Sequence, residues 1–289
     1  MSSLYELPVG EELRHVRSAV ARLETAALAF PGPVGGPTRR TSLDEEVCDR
    51  LIDLAAARAW LRTAGARAPQ GADARTANAA AESAEDASST YSADDGDDID
   101  EVMAGCVRWA VQEDVVRARS AFGPGVTGTA VREGLPAEAA HRLVTVLVAA
   151  FADPVYYDGM TGRLRAALGP RPGGRAAAAW DLAEEALRGL GATRDEWVGA
   201  DPAFAAAGGW VLVERIGRLQ LATALLAEVA TYEDAEHVLQ CVNAVRRYTW
   251  NWLRRPPPEA ATGTHVRRTG ELTAWLRQAP STAAPGADA

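Results

Sequence analysis

Apolar residues along this chain recur at steps of three and four, the period of a helix with one buried face, and strand-like alternation is scarce. Leu13, Val16, Val20, Leu23, Ala27 and Phe30 mark a first helix over 11–30. Ser42 with Glu45 reads as a capping box for a second, whose stripe is Leu43, Val47, Leu51, Leu54 and Leu61, with Arg58 interrupting it and expected to snorkel. A third helix, from about residue 99 to 122, carries Val107, Val111, Val115 and Phe122 on one side and Val102, Cys106, Trp109 and Val116 on another, so it should touch more than one neighbour. The fourth, over 136–153, contains Leu-Val-Thr-Val-Leu-Val-Ala-Ala-Phe, apolar nearly all round, and is expected at the centre of the core.

Shorter pieces follow around 160–168 and 176–190, and Thr193 with Glu196 suggests a further cap. Residues 202–255 are the longest run of helical pattern, and the fold is expected to assemble around them. Leu212, Ile216, Leu219, Leu226 and Val229 line one face, with Glu214 and Arg218 read as an exposed ion pair four residues apart. Thr231 and Asp234 look like the cap of the next helix, whose buried stripe is Val238, Val242, Val245 and Trp252. It ends among Arg246, Arg247, Arg254 and Arg255, cations favoured at a helix C-terminus, followed by three prolines that stop it.

The pattern predicts an all-α fold, an irregular multi-helix bundle of roughly seven to nine helices with a long C-terminal helical hairpin. The expected organisation is an N-terminal helical pair over 1–66, an acidic, low-complexity linker over 67–98, a main bundle over 99–255, and a short amphipathic helix with a disordered tail over 256–289. The linker assignment rests on 67–93, which holds no branched aliphatic residue and so has little to give a core.

Composition refines this. With 47% hydrophobic residues in 289, the chain can bury a substantial core. All 30 basic side chains are arginine, which together with heavy Ala and Gly use points to a GC-rich coding genome. A net charge of −9 sets the bulk field against nucleic acid and anionic membrane, and the Arg-Arg pairs are scattered along the sequence. The apolar run 143–152 is shorter than the ~20 residues a membrane span needs. The N-terminus lacks the basic start and apolar core of a signal peptide. Cys48, Cys106 and Cys241 sit apart in apolar stripes and read as buried thiols of a reducing compartment, so a cytoplasmic protein is expected.

The sharpest string is the acidic stretch 94–101, six carboxylates in eight positions. Asp94, Asp95 and Asp98 fall in the pattern DDxxD, which resembles the motif on which class I isoprenoid synthases, terpene cyclases among them, hold Mg²⁺ against a diphosphate. Hard cations seek clustered carboxylate oxygens, so the resemblance implies a Mg²⁺-dependent isoprenoid-diphosphate enzyme as the alternative function. Here the string precedes its helix instead of ending one, and no N/D-D-x-x-S/T-x-x-x-E motif follows. The competing reading is a solvated N-terminal flank stabilised by the helix dipole, with Asp98 as the cap and Glu101 completing it.

Glu12 with His15, Glu138 with His141 and Asp234 with His237 each place a carboxylate and an imidazole one turn apart, the spacing of di-metal carboxylate bundles, which makes a di-metal oxidase the third reading. No catalytic triad signature accompanies them. A GxGxxG string at 123–128 follows a helix, not a strand, and reads as loop.

What remains is aromatic surface. Trp250 and Trp252 are two apart, about 200° around a helix, so both cannot face one core. If Trp252 is buried, Trp250 shares another face with Arg246 and Arg254, the aromatic and arginine combination favoured at interaction hot spots, the competing reading being that Trp250 covers another helix of the same chain. The leading expectation is therefore a non-catalytic adaptor, assembly or regulatory protein that binds another protein or a second copy through Arg246, Trp250 and Arg254, with no cofactor.

Overall fold

The computed structural model describes residues 9–28, 42–67, 95–121, 137–197, 202–232, 234–254, 271–272 and 274–275. The described residues form an all-helical bundle with eight α-helices. They are α1 (Val9–Leu28), α2 (Ser42–Arg67), α3 (Asp95–Ala121), α4 (Ala137–Ala152), α5 (Pro154–Leu168), α6 (Ala177–Trp197), α7 (Pro202–Val229) and α8 (Ala235–Trp252). A single 3-10 turn, Gly174–Ala176, precedes α6.

The hub is α7, not α4. It packs against α2, α3, α4, α5, α6 and α8, and Leu212, Val213, Ile216, Leu219, Leu221, Ala222 and Leu225 are buried around its circumference. A helix that is apolar on every side can only satisfy itself in the middle of a core. By contrast α4 buries Leu143, Val144, Leu147 and Phe151 and leaves His141, Thr145 and Ala149 exposed, because its apolar letters include small residues that tolerate water. Two glycines let α7 come close to its neighbours. A Cβ at Gly217 would meet the Cys106 carbonyl of α3, and one at Gly209 would meet the Val144 side chain of α4.

α1 and α2 share this core, with Val16, Val20, Leu23, Leu51, Ile52 and Leu54 joining the same apolar cluster as α3 and α7. Residues 68–94, most of the stretch read as a linker, lie outside the described residues.

Several boundaries differ from the pattern. α3 starts at Asp95, so Asp95 and Asp98 belong to its first turn and Asp98 is not its cap. Carboxylates are favoured at this end of a helix, which lets the acidic stretch be helical where low hydrophobicity suggested otherwise. Thr193 and Glu196 lie inside α6, and the Thr193 hydroxyl donates to the Gly189 carbonyl one turn back instead of capping a new helix. Asp234 is itself the N-cap of α8, accepting from the His237 backbone N–H, while Thr231 donates its hydroxyl to the Glu228 carbonyl. Arg58 does not snorkel. It is 6% exposed and meets the Glu24 carboxylate at 2.6 Å.

Candidate partner-binding surface

The surface is set by charges buried beneath it. Where four helices meet, Arg218 of α7 donates through both terminal nitrogens to the Asp114 carboxylate of α3, at 2.6 and 2.7 Å. Both side chains are 1% exposed or less. Arg50 of α2 donates to Asp53 at 2.7 Å and lies 3.9 Å from Asp114. Two buried acids and two guanidinium groups thus engage one another in a dry interior, where a buried charge is tolerated only beside a partner. The expected exposed pair of Glu214 with Arg218 is corrected accordingly. Arg218 lies 3.7 Å from Glu214 but points inward, and Arg117 also reaches Glu214, at 3.3 Å.

Helix α8 is fastened to this quartet by Trp252. Its indole N–H donates to Asp53 at 2.8 Å. The Arg218 and Arg117 guanidinium groups lie over its ring, 3.5 and 4.5 Å from the centroid, an arrangement that adds cation–π attraction to the hydrogen bond. Tyr248, one turn back, is wholly buried in the same region. Burial also raises Asp53 to about 8, with Asp114 adding to it and Arg50, Arg218 and the indole N–H opposing. Tyr248 is raised by the same burial, against the pull of Arg218. A second fastening lies on the α2 side, where Asp49 accepts from Arg247 and from Asn251.

With Trp252, Tyr248 and Arg247 turned inward, the remaining face of α8 is outward. Trp250 is 37% exposed, and Arg254 lies over its ring at 3.8 Å. Arg246 is exposed on the turn before. The three residues picked out by spacing are therefore on one side of one helix, and the opposite facing of Trp250 and Trp252 follows from their spacing. Leu239 and Asn243 extend the same side, the first exposed and the second half-buried. Neither was found by sequence reasoning, although the four-residue step from Asn243 back to Leu239 continues the same stripe.

Other tryptophans are engaged inside the bundle. Trp60 donates to Gln220, Trp180 to the Gly169 carbonyl, and Trp109 packs on Trp210 with ring centroids 4.6 Å apart.

Among the described residues the candidate metal ligands are not gathered. Asp94 and the side chains of Asp95 and Asp98, the residues proposed for Mg²⁺, lie outside the described residues. His15, His141 and His237 stand on three different helices, and His237 places its Nδ1 2.7 Å from the capping carboxylate of Asp234. Among the described residues no group of three His, Cys, Asp or Glu is placed to hold a metal ion. No single described helix is long and apolar enough to cross a membrane. Cys48, Cys106 and Cys241 are buried and none is in a disulfide, and burial raises Cys241 to about 11.

Fold and surface together define a helical bundle with a buried cluster of ionisable side chains and an outward arginine and tryptophan stripe. Comparison with known proteins finds no family, no curated protein and no solved structure that matches the chain.

Proposed function

We propose that this is a non-catalytic helical protein that docks another protein, as an adaptor, assembly or regulatory factor, through the outward face of α8. The observation that carries the reading is the contrast between two neighbouring tryptophans. Trp252 is fastened to Asp53 and two arginines, whereas Trp250 leaves more than a third of its surface in water beside Arg254. Large aromatics paired with arginine are the residues that dominate protein interfaces when covered. The charged groups of the interior are a poor alternative site, since no substrate reaches carboxylates that are 0 to 1% exposed. The three buried cysteines, none of them in a disulfide, support a reducing, cytoplasmic setting.

Affinity capture with the full chain tests this. Wild type and Trp250→Ala are compared after both are shown to unfold at similar denaturant concentration. Loss of specific partners in the variant is expected, and an unchanged partner list removes the α8 face from the account.

A further inference from the structure

The exposed face of α8 has a definite charge as well as a shape. From His237 to Arg254 the sequence contains not one Asp or Glu, in a chain with 39 of them and a net charge of −9. Of the arginines in that segment, Arg247 is turned to Asp49. Arg246 and Arg254 are left on the outward side, flanking Trp250 at i−4 and i+4. With Asn243 and Leu239 the spacing along the stripe is four, three, four and four, which keeps all five within a narrow arc of the helix. The two cations stand about 12 Å apart along the axis, at about 1.5 Å per residue, with an aromatic platform between them.

We infer that the occupant of this stripe is an acidic helical segment of another protein, a deduction that rests on α8 being the docking surface. Carboxylates at positions i and i+8 of the partner helix meet Arg246 and Arg254. An aliphatic side chain at i+4 covers Trp250. Leu239 extends the apolar contact past the last carboxylate. A helix repeats its surface every three to four residues, so one face of a partner helix supplies all three groups in register.

A second copy of this chain fits poorly. The two-fold antiparallel pairing that overlays the whole stripe brings Leu239 against Arg254 and Arg246 close to its own symmetry mate, so like charges meet at the axis. Nucleic acid also has an attraction to arginine flanking an aromatic, but two cations neutralise only a couple of phosphates, and affinity for a phosphate backbone grows with the number neutralised.

The test uses the full chain and a fluorescein-labelled synthetic helical peptide with Glu at i and i+8 and Leu at i+4. Fluorescence anisotropy should show binding that weakens at least tenfold on charge reversal in Arg246→Glu/Arg254→Glu and weakens in 0.5 M salt. A peptide with Lys in place of both Glu should recover binding to the reversed variant. Circular dichroism of both proteins checks that the fold is kept. Equal binding of the Glu and Lys peptides to wild type overturns the inference, as does preference for a single-stranded oligonucleotide of similar length. Partners captured through Trp250 but indifferent to the charge reversal also overturn it, while leaving the docking surface in place. If neither the peptide nor any captured partner responds to Trp250→Ala, the docking surface falls with it.

Discussion

Arg218 and Asp114 are 104 residues apart in sequence and meet at 2.6 and 2.7 Å with no access to solvent. A pair of this kind is not a strong net source of stability, because desolvating both charges cancels most of their attraction. Its asymmetry is what can be measured. Asp114→Asn or Arg218→Met alone leaves a buried charge without its partner and should cost about 3–5 kcal/mol in urea unfolding. Asp114→Leu/Arg218→Met removes both charges and should recover most of that loss. If the double variant is as unstable as the sum of the singles, the pair is not energetically coupled.

The same quartet makes stability depend on pH. Burial holds the Asp53 carboxyl up to about 8, with Asp114 reinforcing it, whereas an aspartate in the unfolded chain titrates near about 3.9. Between those values the folded protein keeps a proton that the unfolded chain releases. Its contribution to stability is therefore complete below about pH 4 and is lost as pH rises towards 8. Asp53→Asn removes the titration. The urea midpoint of wild type relative to that variant should fall across this window, and a difference that stays constant from pH 4 to 9 would refute the assignment.

Trp250 and Trp252 should separate cleanly in stability. Trp252→Ala strips the ring from between Arg218, Arg117 and Asp53, leaves the Asp53 oxygen without its indole donor, and should cost about 3–5 kcal/mol. Trp250→Ala removes an exposed ring whose described contact is Arg254, and should stay within about 1 kcal/mol. Comparable losses from the two variants would mean that Trp250 is packed as tightly as its neighbour.

Much of the fold was legible because helical periodicity is a local signal, and it located the eight described helices along with the different facing of Trp250 and Trp252. What escaped depends on distant partners. Arg218 was paired with Glu214 because they are one turn apart, yet it sits among Ile216, Leu219 and Leu221, where an exposed charge is out of place. Asp53 between Ile52 and Leu54, and Asp114 beside Val111 and Val115, are the same anomaly on two other helices. Three lone ionisable residues of both signs in apolar stripes were the available sign of a buried network. Nothing local says which helix each one meets. The close approach of α3 and α4 to α7 was equally hidden, since it depends on glycines at 209 and 217 that matter only once the neighbouring helices are in place.

Those glycines give the last prediction. A methyl group at Gly217 points into the Cys106 carbonyl and the Ala110 side chain, and because the obstacle is backbone it cannot swing aside. Gly217→Ala should therefore push α3 and α7 apart and cost about 1–3 kcal/mol, despite the better helix propensity of alanine. Gly162, in the interior of α5, is the control, since a Cβ there meets nothing within 4 Å. Gly162→Ala should stabilise by about 0.5–1 kcal/mol, because alanine loses less backbone freedom on folding. Thermal or urea denaturation of the two variants decides the matter. If Gly217→Ala is neutral or stabilising, the close approach of α3 and α7 through this glycine is wrong, whereas opposite signs at the two positions separate steric contact from propensity.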